Sequence, residues 1–100
     1  MIPHSIEAEW GLLGSLLADN AAATRIAALD PAAFYVEFHQ HVYRAMLQQM
    51  SAGKAFDVIT LHDALSKAGK TDDESLLALN EIAQYVTSAR NVVRYAEIVS

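Results

Sequence analysis

The chain has 100 residues, of which 53% are hydrophobic and 19% charged, and a formal net charge of -5. That balance excludes a disordered chain and fits one globular domain with a single core. It also argues against direct DNA binding, which requires clustered Lys and Arg; here Arg25, Arg44, Lys54, Lys67, Lys70, Arg90 and Arg94 are scattered.

In chain order, the sequence reads as about six short helices. Pro3 pre-sets an extended lead-in and Ser5 is a good N-cap. Glu7 and Glu9 then read as first-turn charges at the positive end of the helix dipole. Ile6, Trp10, Leu13 and Leu17 form the apolar stripe, widened by Leu12 and Leu16. Gly11 and Gly14 each cost roughly 1 kcal/mol against alanine inside this helix, which points to close backbone approach by another helix. Asn20 is expected to cap a second, alanine-rich helix reaching about Leu29. Asp30-Pro31 pairs an N-cap with proline at the first helical position and opens a short turn through Phe34-Tyr35.

The strongest pattern runs from about Glu37 to Ala52. His39, Val42, Tyr43, Met46, Leu47 and Met50 form its stripe and Gly53 stops it. Thr60-x-x-Asp63 approximates a capping box for a helix ending at Gly69, and Thr71-x-x-Glu74 is the standard box for a helix to about Tyr85. That helix should turn Leu76, Leu79, Ile82, Ala83 and Val86 to one side. A final helix from about Asn91 carries Val92, Tyr95, Ala96 and Val99 inward. No strand pattern exceeds residues 57–61, so the class is all-α, a compact bundle, with residues 1–100 as a single domain.

Several motifs could carry chemistry, and each reads better as structure. Ala64-x-x-x-x-Gly69-Lys70-Thr71 satisfies a relaxed phosphate-loop pattern. Such a loop needs a preceding strand and free helical N–H groups, whereas Leu65 to Ala68 reads as a last helical turn with Gly69 as its cap. Asp72, Asp73 and Glu74 would also repel a triphosphate. His39 and His41 are two apart and point to different faces of a helix, so they cannot share a metal as an i,i+4 pair could. One is expected at the core edge and one at the surface. His62 and Asp63 face apart, Glu7 and Glu9 are not an acid/base pair, and Met46 and Met50 are spaced as core residues. No catalytic, cofactor-binding or metal-binding residue is assigned, and no interface residue is legible.

With no cysteine there is no disulfide framework. Leu12 to Ala18 is apolar but far short of the roughly 20 residues that span a bilayer. It follows glutamates rather than a basic stretch, so it is not a signal peptide. A cytoplasmic protein without membrane association is expected.

Four segments in order give the chain a family likeness. Pro3-His4-Ser5-Ile6-Glu7-Ala8-Glu9 with Leu13-Gly14-Ser15-Leu16-Leu17 and Asp19-Asn20 resembles the first helix of the N-terminal domain of DnaB-type replicative DNA helicases. Phe34-Tyr35 followed by His39-Gln40-His41-Val42-Tyr43-Arg44-Ala45-Met46 is similar to its aromatic turn and central helix. Gly53-Lys54-Ala55-Phe56-Asp57-Val58-Ile59-Thr60-Leu61 is similar to its next connection. Ser88-Ala89, Asn91 and Tyr95-Ala96-x-Ile98-Val99 resemble its closing motif. Three departures stand out. Trp10 occupies a place where the family usually has glutamine, and Leu12 one that is usually valine-like. Glu74-Ser75, and then Ala78, stand where a Gly-Gly turn and an aromatic are common, in a region that helps to form the partner-facing surface of relatives.

The resemblance implies a part rather than a motor. It places the chain in the collar of a hexameric ring, arranged as a trimer of dimers, which docks primase and sometimes a loader or initiator protein. The ATP- and Mg-dependent strand separation would belong to a RecA-like domain of the parent protein, after a helical hairpin that follows Ser100. This domain itself would be no enzyme, would hold no cofactor and would not bind DNA. Two other readings are weighed: the helicase-binding domain of a primase, which resembles this fold, and a helical nucleic-acid-binding domain. The sequence motifs oppose the first, and the acidic charge opposes the second.

Overall fold

The computed structural model describes residues 5–100. Among these it contains five α-helices and two short 3-10 helices, and no strand. Pro3 and His4, where the extended lead-in was expected, lie outside the described residues.

Helix α1 spans Ile6–Ala18. Ser5 caps it as expected, its Oγ accepting a hydrogen bond from the Ala8 amide at 3.0 Å. The helix is buried along most of its length because neighbours approach from several sides: α4 (Ser75–Tyr85) and α5 (Val92–Val99) pack on it, and α2 (Glu37–Ser51) touches it as well. The two glycines make this possible. A Cβ on Gly14 would lie 2.7 Å from the Ile82 carbonyl oxygen, and one on Gly11 would lie 2.8 Å from the Tyr95 ring. Leu12, Leu13 and Leu16 are fully buried, but Ile6 and Trp10 are not inward residues: they sit at the rim, 38% and 36% exposed. The reason is that the face of α1 turned to its neighbours carries Gly11 and Gly14 together with Leu12, Leu13 and Leu16, which leaves Ile6 and Trp10 at its edge.

The expected alanine-rich helix is shorter and tighter than its composition suggests. It is a 3-10 helix over Asn20–Arg25, capped by Asp19, whose side chain accepts from the Ala21 amide. Asn20 does a different job from the capping expected of it. Its amide donates to the Leu16 carbonyl and its Oδ1 accepts from the Phe56 amide, both at 2.8 Å, which ties the end of α1 to the approach to α3 (Val58–Lys67). Tertiary contacts override propensity beyond Arg25. The Arg25 guanidinium donates to the Ala89 carbonyl, and the Tyr43 hydroxyl accepts from the Leu29 amide at 3.0 Å, so the chain runs on extended rather than coiling. The Asp30-Pro31 turn forms as read, a 3-10 helix over Pro31–Ala33 capped by Asp30.

Helix α2 spans Glu37–Ser51 and buries His39, Val42, Tyr43 and Met46, with Leu47 and Met50 half-buried. It ends in a Schellman motif. Gly53 adopts φ +71°, its amide donates to Met50, and the Lys54 amide donates to Gln49. Helix α3, Val58–Lys67, has its cap three residues before the expected one. Asp57 is the N-cap and Thr60 is the third helical residue. Their side chains and backbone amides exchange hydrogen bonds of 2.8 and 2.9 Å, a capping box built from Asp and Thr.

Helix α4 spans Ser75–Tyr85, and its start also differs from the expected Thr71–Glu74 box. Glu74 precedes the helix without a side-chain cap bond. Asp72 Oδ1 instead accepts from the Glu74 amide and the Ser75 hydroxyl, and Ser75 Oγ accepts from the Asp72 amide. Leu79 and Ile82 are buried, whereas Leu76 is 41% exposed, outside the face predicted for it. Helix α5, Val92–Val99, turns Val92 and Ala96 fully inward and Tyr95 and Val99 partly so. Among the described residues the buried apolar side chains gather into one cluster to which all five α-helices contribute.

Candidate protein-docking surface

The polar groups that could have carried chemistry are absorbed into structure. The Gly69-Lys70-Thr71 segment is a helix C-cap. Gly69 has φ +71°, its amide donates to the Ser66 carbonyl at 3.0 Å, and the Lys70 amide donates to Leu65 at 2.9 Å. The N–H groups that would cradle a phosphate are therefore engaged. His39 and His41 do face different ways. His39 is buried and directed at α1, while His41 is half-buried with Nε2 3.5 Å from Glu37. Asp63 pairs with Lys67 at 2.9 Å rather than with His62. Met46 is fully buried in the core and Met50 packs against it. Among the described residues no three His, Cys, Asp or Glu side chains gather as a metal site.

Glu9 is the residue that sequence reasoning misplaced. It is 2% exposed, not a solvated dipole charge. Oε2 accepts from the Tyr35 amide at 2.8 Å, and Oε1 accepts from the Val36 amide at 3.3 Å and lies 2.7 Å from His39 Nδ1. Against a carboxylate the ring nitrogen is the donor. Val36 is the N-cap of α2 and offers no side-chain cap of its own. Glu9 thus caps a helix from 28 positions before that helix begins, with its charge at the positive end of the α2 dipole. The sequence signal was present in two halves: a helix start lacking a capping side chain, and a glutamate flanked by Ala8 and Trp10 on a largely apolar helix.

With the interior polar groups satisfied, what remains available is surface. No buried side-chain nitrogen or oxygen among the described residues lacks a partner. One edge, formed by α1, α4 and the turn into α5, carries large aromatic area. The Trp10 and Tyr85 rings meet edge-on, centroids 5.5 Å apart at 61°, and Tyr85 remains 45% exposed. Beside them lies an open cleft of about 310 Å³, lined by Tyr85, Thr87, Ser88, Arg90, Asn91 and Tyr95. The position of Tyr95 follows from Gly11, since the ring occupies the space a side chain there would need. Exposed aromatics beside a polar, singly cationic cleft suit protein contact: amphipathic rings supply anchoring area at low entropic cost. The sequence did not reveal this pair, because Trp10 reads as core by periodicity.

Comparison with known proteins agrees with this geometry. The family described as DnaB-like helicase N terminal domain matches residues 1–100. The chain is 37% identical over 101 residues to the replicative DNA helicase DnaB of Geobacillus stearothermophilus, covering 97% of this chain and 22% of that helicase. It is 34% identical over 100 residues to DnaB of Buchnera aphidicola subsp. Baizongia pistaciae, covering 98% and 22%. The chain therefore spans about a fifth of the length of these relatives. Among solved structures, the N-terminal domain of DnaB helicase from Mycobacterium tuberculosis superposes with a TM-score of 0.85 at 30% identity, over 99% of this chain and 70% of that one.

Proposed function

Because this chain belongs to the family of DnaB-like helicase N-terminal domains, we propose that it is the collar domain of a replicative DNA helicase, a scaffold in ring assembly and primase docking. The observation that carries this reading is the match over the whole chain, at 30% identity and a TM-score of 0.85 to a solved domain of that kind. Nucleotide hydrolysis and strand separation, with ATP and Mg, are assigned to a motor domain elsewhere in the parent protein. A loader or initiator protein is a further partner of the same collar, and the working assembly is a dimer within a hexamer. The assigned compartment is the cytoplasm; no helix among the described residues is long and apolar enough to cross a membrane.

The mechanism is positional. A rigid helical domain with its polar interior satisfied holds its exposed side chains in fixed relation, so a partner finds a preorganised surface and little entropy is lost on docking. The α1–α4 edge is the face we assign to primase. Trp10 and Tyr85 are the anchors, and the cleft at Arg90 and Asn91 supplies the polar rim. Trp10 stands where the family usually has glutamine, so the Trp10–Tyr85 contact tunes which primase is accepted.

Size-exclusion chromatography with light scattering tests this, on the chain alone and with the C-terminal domain of the cognate primase. A complex that loses affinity roughly tenfold in Trp10→Ala/Tyr85→Ala is the expected result. Failure of primase to bind under any condition would overturn the docking role of this segment. Binding that is indifferent to both aromatic substitutions would move the site off the α1–α4 edge.

A further inference from the structure

A second surface shares no lining residue with the aromatic edge, and its chemistry is different. Between α2 and the end of α3 lies a groove of about 210 Å³, lined by His41, Arg44, Ala45 and Gln48 from one helix and Ala64, Leu65 and Ala68 from the other, with Lys70 at its mouth. Its shape follows from the sequence. His41, Arg44, Ala45 and Gln48 recur at three- and four-residue steps and share a face of α2, and Ala64 and Ala68 are one turn apart on α3. Alanines at the facing positions leave the trough open, while Leu61 and Leu65 are buried beneath it. The left-handed Gly69 turns the chain so that Lys70 stands at the rim.

The rim is positive on a chain of net charge -5. Neither Arg44 nor Lys70 pairs with a carboxylate among the described residues. No carboxylate lines the groove: Glu37 lies against His41, Asp63 against Lys67, Asp72 accepts two hydrogen bonds at the start of α4, and Asp73 and Glu74 are exposed on the turn beyond the lining. An apolar floor with two unpaired cations and no carboxylate in its lining selects its occupant by charge. We propose that the α2–α3 groove is a docking site for an acidic amphipathic helix of a partner protein, seating an aliphatic side chain on Ala45, Ala64 and Leu65 and placing carboxylates at Arg44 and Lys70. A basic segment would be rejected by the same two residues. The site is independent of the assignment of the aromatic edge to primase, since it shares no residue with it.

The test uses the 100-residue chain and two synthetic helices of roughly four turns, with leucine at helical spacing and either glutamate or lysine elsewhere. Binding is followed by fluorescence anisotropy and located by backbone amide NMR. The glutamate peptide should bind and shift the amides of Arg44, Gln48, Leu65 and Lys70, and the lysine peptide should not. Arg44→Glu/Lys70→Glu should weaken that binding roughly tenfold, and Ala64→Leu should do so by filling the floor with the rim intact. All the changed positions are exposed or half-buried, so circular dichroism should show the fold retained. Three results would overturn the proposal: no binding of the glutamate peptide, binding that maps to Arg90 and Arg94 instead, or sedimentation showing that a second copy of this chain occupies the groove. Loss of primase binding in the aromatic variants leaves these readouts unmoved, so the two proposals fail separately.

Discussion

The starts of α2 and α3 do the same chemical job by different routes. At α3, Asp57 and Thr60 are three residues apart and satisfy each other's amides at 2.8–2.9 Å. At α2 the N-cap Val36 offers no side-chain cap bond, and the buried carboxylate of Glu9 crosses from α1 to accept from the amides of Tyr35 and Val36, at the entry to the helix, while holding His39. The local cap stabilises one helix. The distant cap also fixes where α2 sits against α1, so it couples secondary structure to packing. A surface built across helices, such as the Trp10–Tyr85 edge, depends on couplings of the second kind.

The sharpest way to break the comparison is to remove the distant cap. Glu9→Ala leaves two amides and a buried imidazole without their acceptor, and we expect a loss on the order of 3–5 kcal/mol in urea denaturation. Glu9→Gln keeps the shape but has one acceptor atom in place of two, so it should fall between the wild type and the alanine variant. If Glu9→Ala costs no more than Asp57→Ala, the long-range cap contributes nothing beyond an ordinary one. The next largest effect is expected at Gly14. Alanine there gains roughly 1 kcal/mol of helix propensity, but its Cβ meets the Ile82 backbone oxygen at 2.7 Å. The backbone of α4 must move, and overpacking of this kind costs about 1–3 kcal/mol. A lower melting temperature for Gly14→Ala would show the clash winning over propensity, and a higher one would mean that α1 and α4 pack less closely than the structure has them. Asp57→Ala comes third, at about 1 kcal/mol, the ordinary cost of a lost N-cap.

The same division between local and distant chemistry explains what was legible in the sequence. Periodicity and glycine placement gave the helices, the Schellman stops at Gly53 and Gly69 and the close packing at Gly11 and Gly14, because each is set within a turn or two. Four short segments in order gave the family. What was misread depends on partners far away in sequence. Glu9 reads as a dipole charge until α2 is placed beside it, and Trp10 reads as core until the face of α1 that carries Gly11, Gly14, Leu12, Leu13 and Leu16 is seen to take that role. The alanine-rich helix stops early because Arg25 and Leu29 are claimed by Ala89 and Tyr43. The aromatic edge and the α2–α3 groove each draw on more than one helix, and no single segment announces either of them.

Local chemistry can also mislead, and the start of α4 is where this can be measured. Thr71-x-x-Glu74 has the sequence of a capping box, yet Thr71 caps nothing; its Oγ1 lies 3.3 Å from Ser66 Oγ on the exposed side of the turn. The bonds that order this turn are those of Asp72 with Glu74 and Ser75. Thr71→Ala should therefore change stability by less than about 0.5 kcal/mol, within the range of ordinary surface substitutions. Ser75→Ala removes the hydroxyl that both accepts from and donates to Asp72, and should cost about 1 kcal/mol, as loss of a typical hydrogen bond does. Each variant removes one hydroxyl, with an exposed methyl as well at Thr71, so comparing their urea midpoints weighs position against composition. Equal losses would restore the sequence box as the start of α4. A loss confined to Ser75 would show that at this turn, as at α2, what matters is which atoms reach the amides rather than which residues stand at the conventional spacing.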